Sequence, residues 1–117
     1  MGKFQDLKVW QRVKELAVFI YKLTEQGAFT KDYGLRDQIC RAAVSIPSNI
    51  AEGDELATDR QAIKYFYTAK GSSGEVLTQA IIAYEIGYIT EEYFGHIQKE
   101  CRVISSMLTK LIQARKR

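Results

Sequence analysis

The stretch Arg41-Ala42-Ala43-Val44-Ser45-Ile46-Pro47-Ser48-Asn49-Ile50-Ala51-Glu52-Gly53 decides how the chain folds. Its apolar residues continue a pattern that begins upstream. Leu35, Ile39, Ala42, Ala43, Ile46 and Ile50 recur at spacings of three and four, which predicts one face of an α-helix from Tyr33 or Gly34 to Gly53. Pro47, the only proline, stands inside this pattern. It cannot donate to the carbonyl of Ala43, and its ring pushes that carbonyl away. Either the helix bends there, or it ends near Ser45 and another starts with Pro47 in its first turn. The apolar register carries through from Ile39 to Ile50, which favours one bent helix.

Three further helices are read outward from this one. Between Asp6 and Glu25, Trp10, Val13, Leu16, Ala17, Ile20 and Tyr21 fall on one face, with Lys8, Arg12, Glu15 and Lys22 opposite. Adding Val9, Val18, Phe19 and Leu23 makes the apolar arc wider than one core contact requires, so a second partner is expected for this helix. Gly27 reads as its stop. Thr58 is a candidate N-cap for a helix from Asp59 to Ile86, with Ala62, Ile63, Phe66, Ala69, Val76, Leu77, Ala80, Ile81 and Tyr84 on one face. Gly71-Ser72-Ser73-Gly74 interrupts it, and a loop is the alternative there, but the register continues across the patch. A continuous helix with close packing against another backbone is expected. Gly87 ends that helix. Thr90 caps the fourth, Glu91 and Glu92 suit its first turn, and Ile97, Cys101, Ile104, Met107, Leu108, Leu111 and Ile112 form its stripe. No segment reads as a strand. Short connections between long helices predict an all-α, up-down-up-down antiparallel four-helix bundle, one domain over residues 1–117, with its second helix bent at Pro47.

Composition narrows function mainly by exclusion. The 117 residues carry 17 Lys+Arg and 14 Asp+Glu, a net charge of +3 that is a mild bias. No apolar run reaches the roughly 18 residues that a membrane helix needs. The opening MGKFQDLKVW carries charges where a signal core would lie, so the expected address is the cytoplasm. Cys40 and Cys101 are far apart and His96 is the only histidine, which leaves no spacing for a metal site; two buried thiols are expected. No nucleophile, metalloprotease or phosphate-loop motif occurs. Neither a cofactor nor an enzymatic activity is expected.

Several blocks resemble a known family. Arg41–Gly53 is similar to the signature of the four-helix-bundle proteins encoded in 23S rRNA intervening sequences. Phe4-Gln5-Asp6-Leu7-Lys8-Val9-Trp10-Gln11 resembles that family's N-terminal motif, and Tyr33-Gly34-Leu35 with Gln38-Ile39 its approach to the signature. Ala69–Glu75 resembles its small-residue patch, and Ile86-Gly87-Tyr88-Ile89 the turn that follows. The resemblance implies a bundle that assembles as a ring, typically a homopentamer, with no established enzymatic activity. Distant relatives that accompany retroelement reverse transcriptases form similar barrels and bind nucleic acid and the polymerase.

The residues themselves carry two functional readings. Residues 1–31 and 90–117 are each net +3, residues 32–57 are net −3, and residues 58–89 are neutral. Repeated around a ring, the basic first and fourth helices make either a collar for RNA or DNA, RNA favoured, with Lys8, Arg12, Lys110, Arg115, Lys116 and Arg117 as candidate contacts, or only a solubilising surface with a frayed basic tail. The alternative is a protein-partner adaptor that docks through the acidic second-helix region and touches no nucleic acid. Arg41, Ser45, Asn49 and Glu52 form the polar part of the signature. They serve either as a recognition patch or as bridges around the Pro47 bend, and the structural reading is preferred. Paired carboxylates Asp54/Glu55 and Glu91/Glu92 sit at helix ends and are not expected to catalyse. Tyr65, Tyr67, Tyr84, Tyr88 and Tyr93 are expected in the core or an interface rather than as stacking platforms.

Overall fold

A computed structural model describes residues 3–56 and 58–116. A short 3-10 turn, Phe4–Asp6, precedes α1 (Lys8–Leu23); a second, Gly27–Lys31, leads into α2 (Tyr33–Glu55), followed by α3 (Asp59–Glu85) and α4 (Glu91–Lys116). The first helix is shorter at both ends than its apolar pattern indicates. At its start Phe4–Asp6 turns more tightly and packs the Phe4 ring on Trp10, centroids 5.1 Å apart. It stops at Leu23 with Thr24 as its C-cap, so Gly27 opens the next turn rather than ending this helix. No strand occurs among the described residues.

Local chemistry explains where the helices start and stop. The Thr58 and Thr90 hydroxyls accept from the backbone N–H of Gln61 and Tyr93, at 3.2 and 3.1 Å, and cap α3 and α4. Asp32 caps α2 by accepting from Leu35 N–H, while its other oxygen accepts from the Tyr88 hydroxyl at 2.9 Å. That hydrogen bond, with burial and the carboxylate charge adding to it, raises the Tyr88 pKa. Gly87 takes φ +87°, and the Tyr88 and Gly87 amides donate to the Ala83 and Tyr84 carbonyls, a Schellman ending for α3.

α2 is a single helix with Pro47 inside it, so the reading of two helices divided at Ser45 is set aside. α3 is likewise continuous through Gly71–Gly74. The close packing expected of those two glycines is not made within the chain: a Cβ on either would meet nothing within 4 Å. Ser72 and Ser73 turn inward instead and are buried. The tight approach falls at Gly53, where a Cβ would lie 2.7 Å from Phe66 Cε1 and 3.1 Å from the Ala62 carbonyl oxygen.

Cross-helix pairs fix the topology. Ser45 meets Ser72 and Gln38 meets Gln79 between α2 and α3. Lys70 meets Thr109 and Tyr84 meets Phe94 between α3 and α4, and Arg12 meets Glu100 and Phe19 meets Tyr93 between α1 and α4. In every couple one number rises as the other falls, so neighbours are antiparallel. The bundle measures 45 × 20 × 20 Å. Phe29, Phe66, Ile20, Ile39, Ile46, Ile50, Ile97, Ile104 and Leu108 are fully buried in a core shared by all four helices. Cys40 and Cys101 are free and buried. Removal from water pushes the Cys101 thiol pKa up to about 11, so it stays protonated at neutral pH.

Candidate nucleic-acid interface

The basic residues of α1 and α4 separate into charges that are paired and charges that are not. Arg12 makes a two-pronged ion pair with Glu100, Nε to Oε1 at 2.8 Å and Nη2 to Oε2 at 2.9 Å, straddling α1 and α4. The shared hydrogen bonds raise the Arg12 pKa and lower that of Glu100, against the opposing effect of burial. Lys8 shares the surface hollow beside this pair with Glu15, Glu100 and His96, a surface of mixed sign. Arg115 is also spent. Its guanidinium bonds Asp54 at 3.1 Å and Asp59 at 3.4 Å and lies 5.4 Å from the Phe66 ring centroid, clasping the α2–α3 connection to the end of α4.

Lys110 is exposed on α4 with no acidic partner among the described residues. Lys116 is exposed and its ammonium sits 5.7 Å from the Tyr67 ring centroid. Arg117 lies outside the described residues. The structure therefore brings Lys8 and Arg12 to one side of α4 and Lys116 to the other, while Arg115 closes the end of the bundle.

Helical charge counts along the sequence missed Arg60, Lys64, Lys70 and Arg102. Residues 60–74 contain Arg60, Lys64 and Lys70, residues 101–117 contain Arg102, Lys110, Arg115, Lys116 and Arg117, and neither segment contains an acid. The fold lays residues 60–74 and 101–116 side by side. Lys70 Nζ donates to Thr109 Oγ1 at 2.7 Å, and Lys70 borders one hollow with Arg102, Ser105 and Gly74 and a second with Tyr67, Thr109 and Lys116. The signal was available as a run without Asp or Glu, and it is hidden when α3 is scored as a neutral whole.

The flank formed by α1 and α2 exposes apolar side chains among charged ones, and α3 exposes a second apolar set toward its C-terminal end, Ile81, Ile82 and Ile86. Val18 and Tyr21 of α1 are 46% and 47% exposed, and Tyr33 and Val44 of α2 are 76% and 40% exposed. Tyr21 and Tyr33 line a shared hollow with Arg36, Asp37 and Cys40. The rest of α1's broad arc is accounted for inside the chain: Phe19 packs edge-on against Tyr93 and His96 of α4, and Val13 and Ile20 are fully buried.

The polar signature residues divide as well. The Asn49 amide donates to the Ser45 carbonyl at 2.8 Å and to Ser45 Oγ at 2.9 Å, and Ser45 Oγ shares a 2.8 Å hydrogen bond with Ser72 Oγ of α3. Arg41 is directed outward, paired with Asp37 one turn earlier at 2.8 Å, both side chains largely exposed. Glu52 is exposed beside an apolar hollow lined by Phe4, Ala51, Leu56 and Tyr65.

Among the described residues there is no group of three or more His, Cys, Asp or Glu placed to hold a metal ion, and no helix long and apolar enough to cross a membrane. The profile of the 23S rRNA-intervening sequence protein family matches residues 5–110. The chain is also similar in structure to a protein of unknown function from the S23 ribosomal protein family of Bacteroides thetaiotaomicron VPI-5482. That likeness has a TM-score of 0.82 and 25% identity, over 89% of this chain and 97% of the other. No curated protein matches the chain in sequence. With the signature segment, the four antiparallel helices and a match over nearly its whole length, the chain belongs to the 23S rRNA-intervening sequence protein family.

Proposed function

We propose that the protein is a non-enzymatic scaffold that assembles into a ring, a pentamer, and binds nucleic acid, RNA in preference to DNA, in an rRNA- or retroelement-related role in the cytoplasm. The observations that support this most are the exposed apolar side chains of α1 and α2 and the cations gathered where α3 meets α4. The α1–α2 flank leaves Val18, Tyr21, Tyr33 and Val44 in water, and the α3–α4 flank joins two cation-bearing segments that hold no acid. Burying the first flank against another copy removes apolar area at about 25 cal/mol per Å2. The second then repeats around the assembly and attracts a polyanion more strongly than one subunit does.

Sedimentation or light scattering at micromolar concentration tests the assembly. The expected result is a multiple of the 13.4 kDa chain that Tyr21→Lys and Val44→Asp break down without loss of helicity. A monomeric wild type overturns the ring. A second reading, a protein-partner adaptor, is favoured by the apolar hollow of Phe4, Ala51, Leu56 and Tyr65 with Glu52 and Glu55 at its rim. Salt separates the two: the logarithm of RNA affinity falls linearly with the logarithm of salt concentration, with a slope of about 0.7 per phosphate contact for single strands.

A further inference from the structure

We propose that the groove between α3 and α4 is a binding track for single-stranded RNA, in which Lys70, Arg102 and Lys116 hold phosphates and Tyr67 stacks a base. This rests on the nucleic-acid reading above and moves its site from the basic termini to the groove, keeping only Lys116 of the six candidates.

Three features of the groove carry the inference. Its cations are uncompensated: no acid borders the two hollows, and among the described residues Lys70, Arg102 and Lys116 have no acidic partner. Lys70 is held by the Thr109 hydroxyl, which itself donates to the Ser105 carbonyl at 3.0 Å, so the ammonium is positioned without being neutralised. Second, the groove has an open side. Gly74, which borders the hollow with Arg102, carries no side chain, and a Cβ there would meet nothing within 4 Å. Gly74 stands one turn after Lys70 on the same side of α3, which gives a reason for a residue that destabilises a helix interior. Third, Tyr67 is 49% exposed with a cation against its ring, the combination of aromatic face and basic track found in single-strand binding surfaces.

The dimensions favour a single strand. Arg102 and Lys116 are separated by fourteen residues of α4, about 21 Å along the helix axis, so several phosphates in succession meet the track. A duplex keeps its bases stacked and offers Tyr67 nothing, whereas unpaired bases are free to splay onto an aromatic ring.

The test measures a short fluorescein-labelled oligouridine by anisotropy across a salt series, with an RNA duplex of equal length in parallel. The wild type is expected to prefer the single strand. Lys70→Gln with Arg102→Gln is expected to lower the log–log salt slope by about 1.4 and to weaken binding about twentyfold at 0.1 M salt. Tyr67→Ala is expected to weaken it about fivefold or more, with Tyr67→Phe retaining the affinity. Lys70→Arg keeps the charge and should bind as the wild type does. Melting curves and sedimentation of each variant identify loss of folding, which lowers stability without changing the slope. An unchanged slope in the double variant overturns the groove while leaving RNA binding intact, and so does a match between that variant and Lys8→Gln on the far side of α4. Equal affinity for the duplex, or no effect of Tyr67→Ala, overturns the single-strand assignment. A wild type that binds neither probe overturns this site and the nucleic-acid function together.

Discussion

Gly53 of α2 and Phe66 of α3 meet so closely that a Cβ at position 53 would lie 2.7 Å from Phe66 Cε1. Phe66 is fully buried, and the Ala62 backbone oxygen stands 3.1 Å from the same point, so neither neighbour has free room to retreat. Gly53→Ala should destabilise the fold by about 1–3 kcal/mol, the usual cost of overpacking. Gly71→Ala and Gly74→Ala should do the reverse and add about 0.5–1 kcal/mol each, because their surroundings are open and only the helix preference changes. Urea unfolding of the three variants checks the contrast. Equal effects at all three positions would remove Gly53 as the contact that sets the α2–α3 distance.

The Arg12–Glu100 pair should make stability depend on acid. Hydrogen bonding to Arg12 holds the Glu100 carboxyl below its ordinary pKa of 4.5 in the folded state. A depressed folded pKa means the contribution is fully present above the unfolded value and is lost as pH falls through the folded one. Glu100→Gln should cost about 1 kcal/mol at neutral pH and flatten this part of the acid dependence. Urea midpoints at pH 7 and pH 3 for both proteins measure it, and parallel pH profiles would count against the pair.

Arg115 should behave as a structural residue. Its side chain is 24% exposed and its Asp54 partner 14%, so the charge is already answered within the chain. Arg115→Gln should lower stability by about 2 kcal/mol through the lost charge-assisted hydrogen bonds. It should change the salt slope of RNA binding little. A variant with native stability and a reduced slope would return Arg115 to the nucleic-acid contacts.

Pro47 and Asn49 test what the signature segment does. Asn49→Ala removes the amide that bonds Ser45 twice and should cost about 1 kcal/mol. Pro47→Ala restores a helix donor and should keep full helicity by circular dichroism, with equal or higher monomer stability. The helix path changes with it, so assembly should weaken or become heterogeneous in light scattering. Native stoichiometry in Pro47→Ala would show that the proline has no part in subunit contact.

The sequence by itself determined the four helices, the caps of the third and fourth and most of the apolar stripes; the Asp32 cap of α2 and the exposure of Ile81 came only with the fold. The 3.6-residue period, the Thr58 and Thr90 caps and the Gly87 stop each act over a few neighbouring residues, so the information is local and can be read without a fold. Pro47 and the Gly71–Gly74 patch were legible for the same reason: register on either side outweighed one breaker. Which charges face a partner was decided only by the tertiary structure. Arg12 is answered by a carboxylate 88 positions away and Arg115 by one 61 away, whereas Lys70 and Arg102 meet no acid across the α3–α4 groove. Helical register places a charge on a face, but the residue opposite comes from a distant segment, and only packing puts the two within hydrogen-bond reach. The same holds for the glycines. Gly53 and Gly74 are alike in sequence, and it is the neighbouring helix, present at one and absent at the other, that makes the first a packing requirement and the second an open surface.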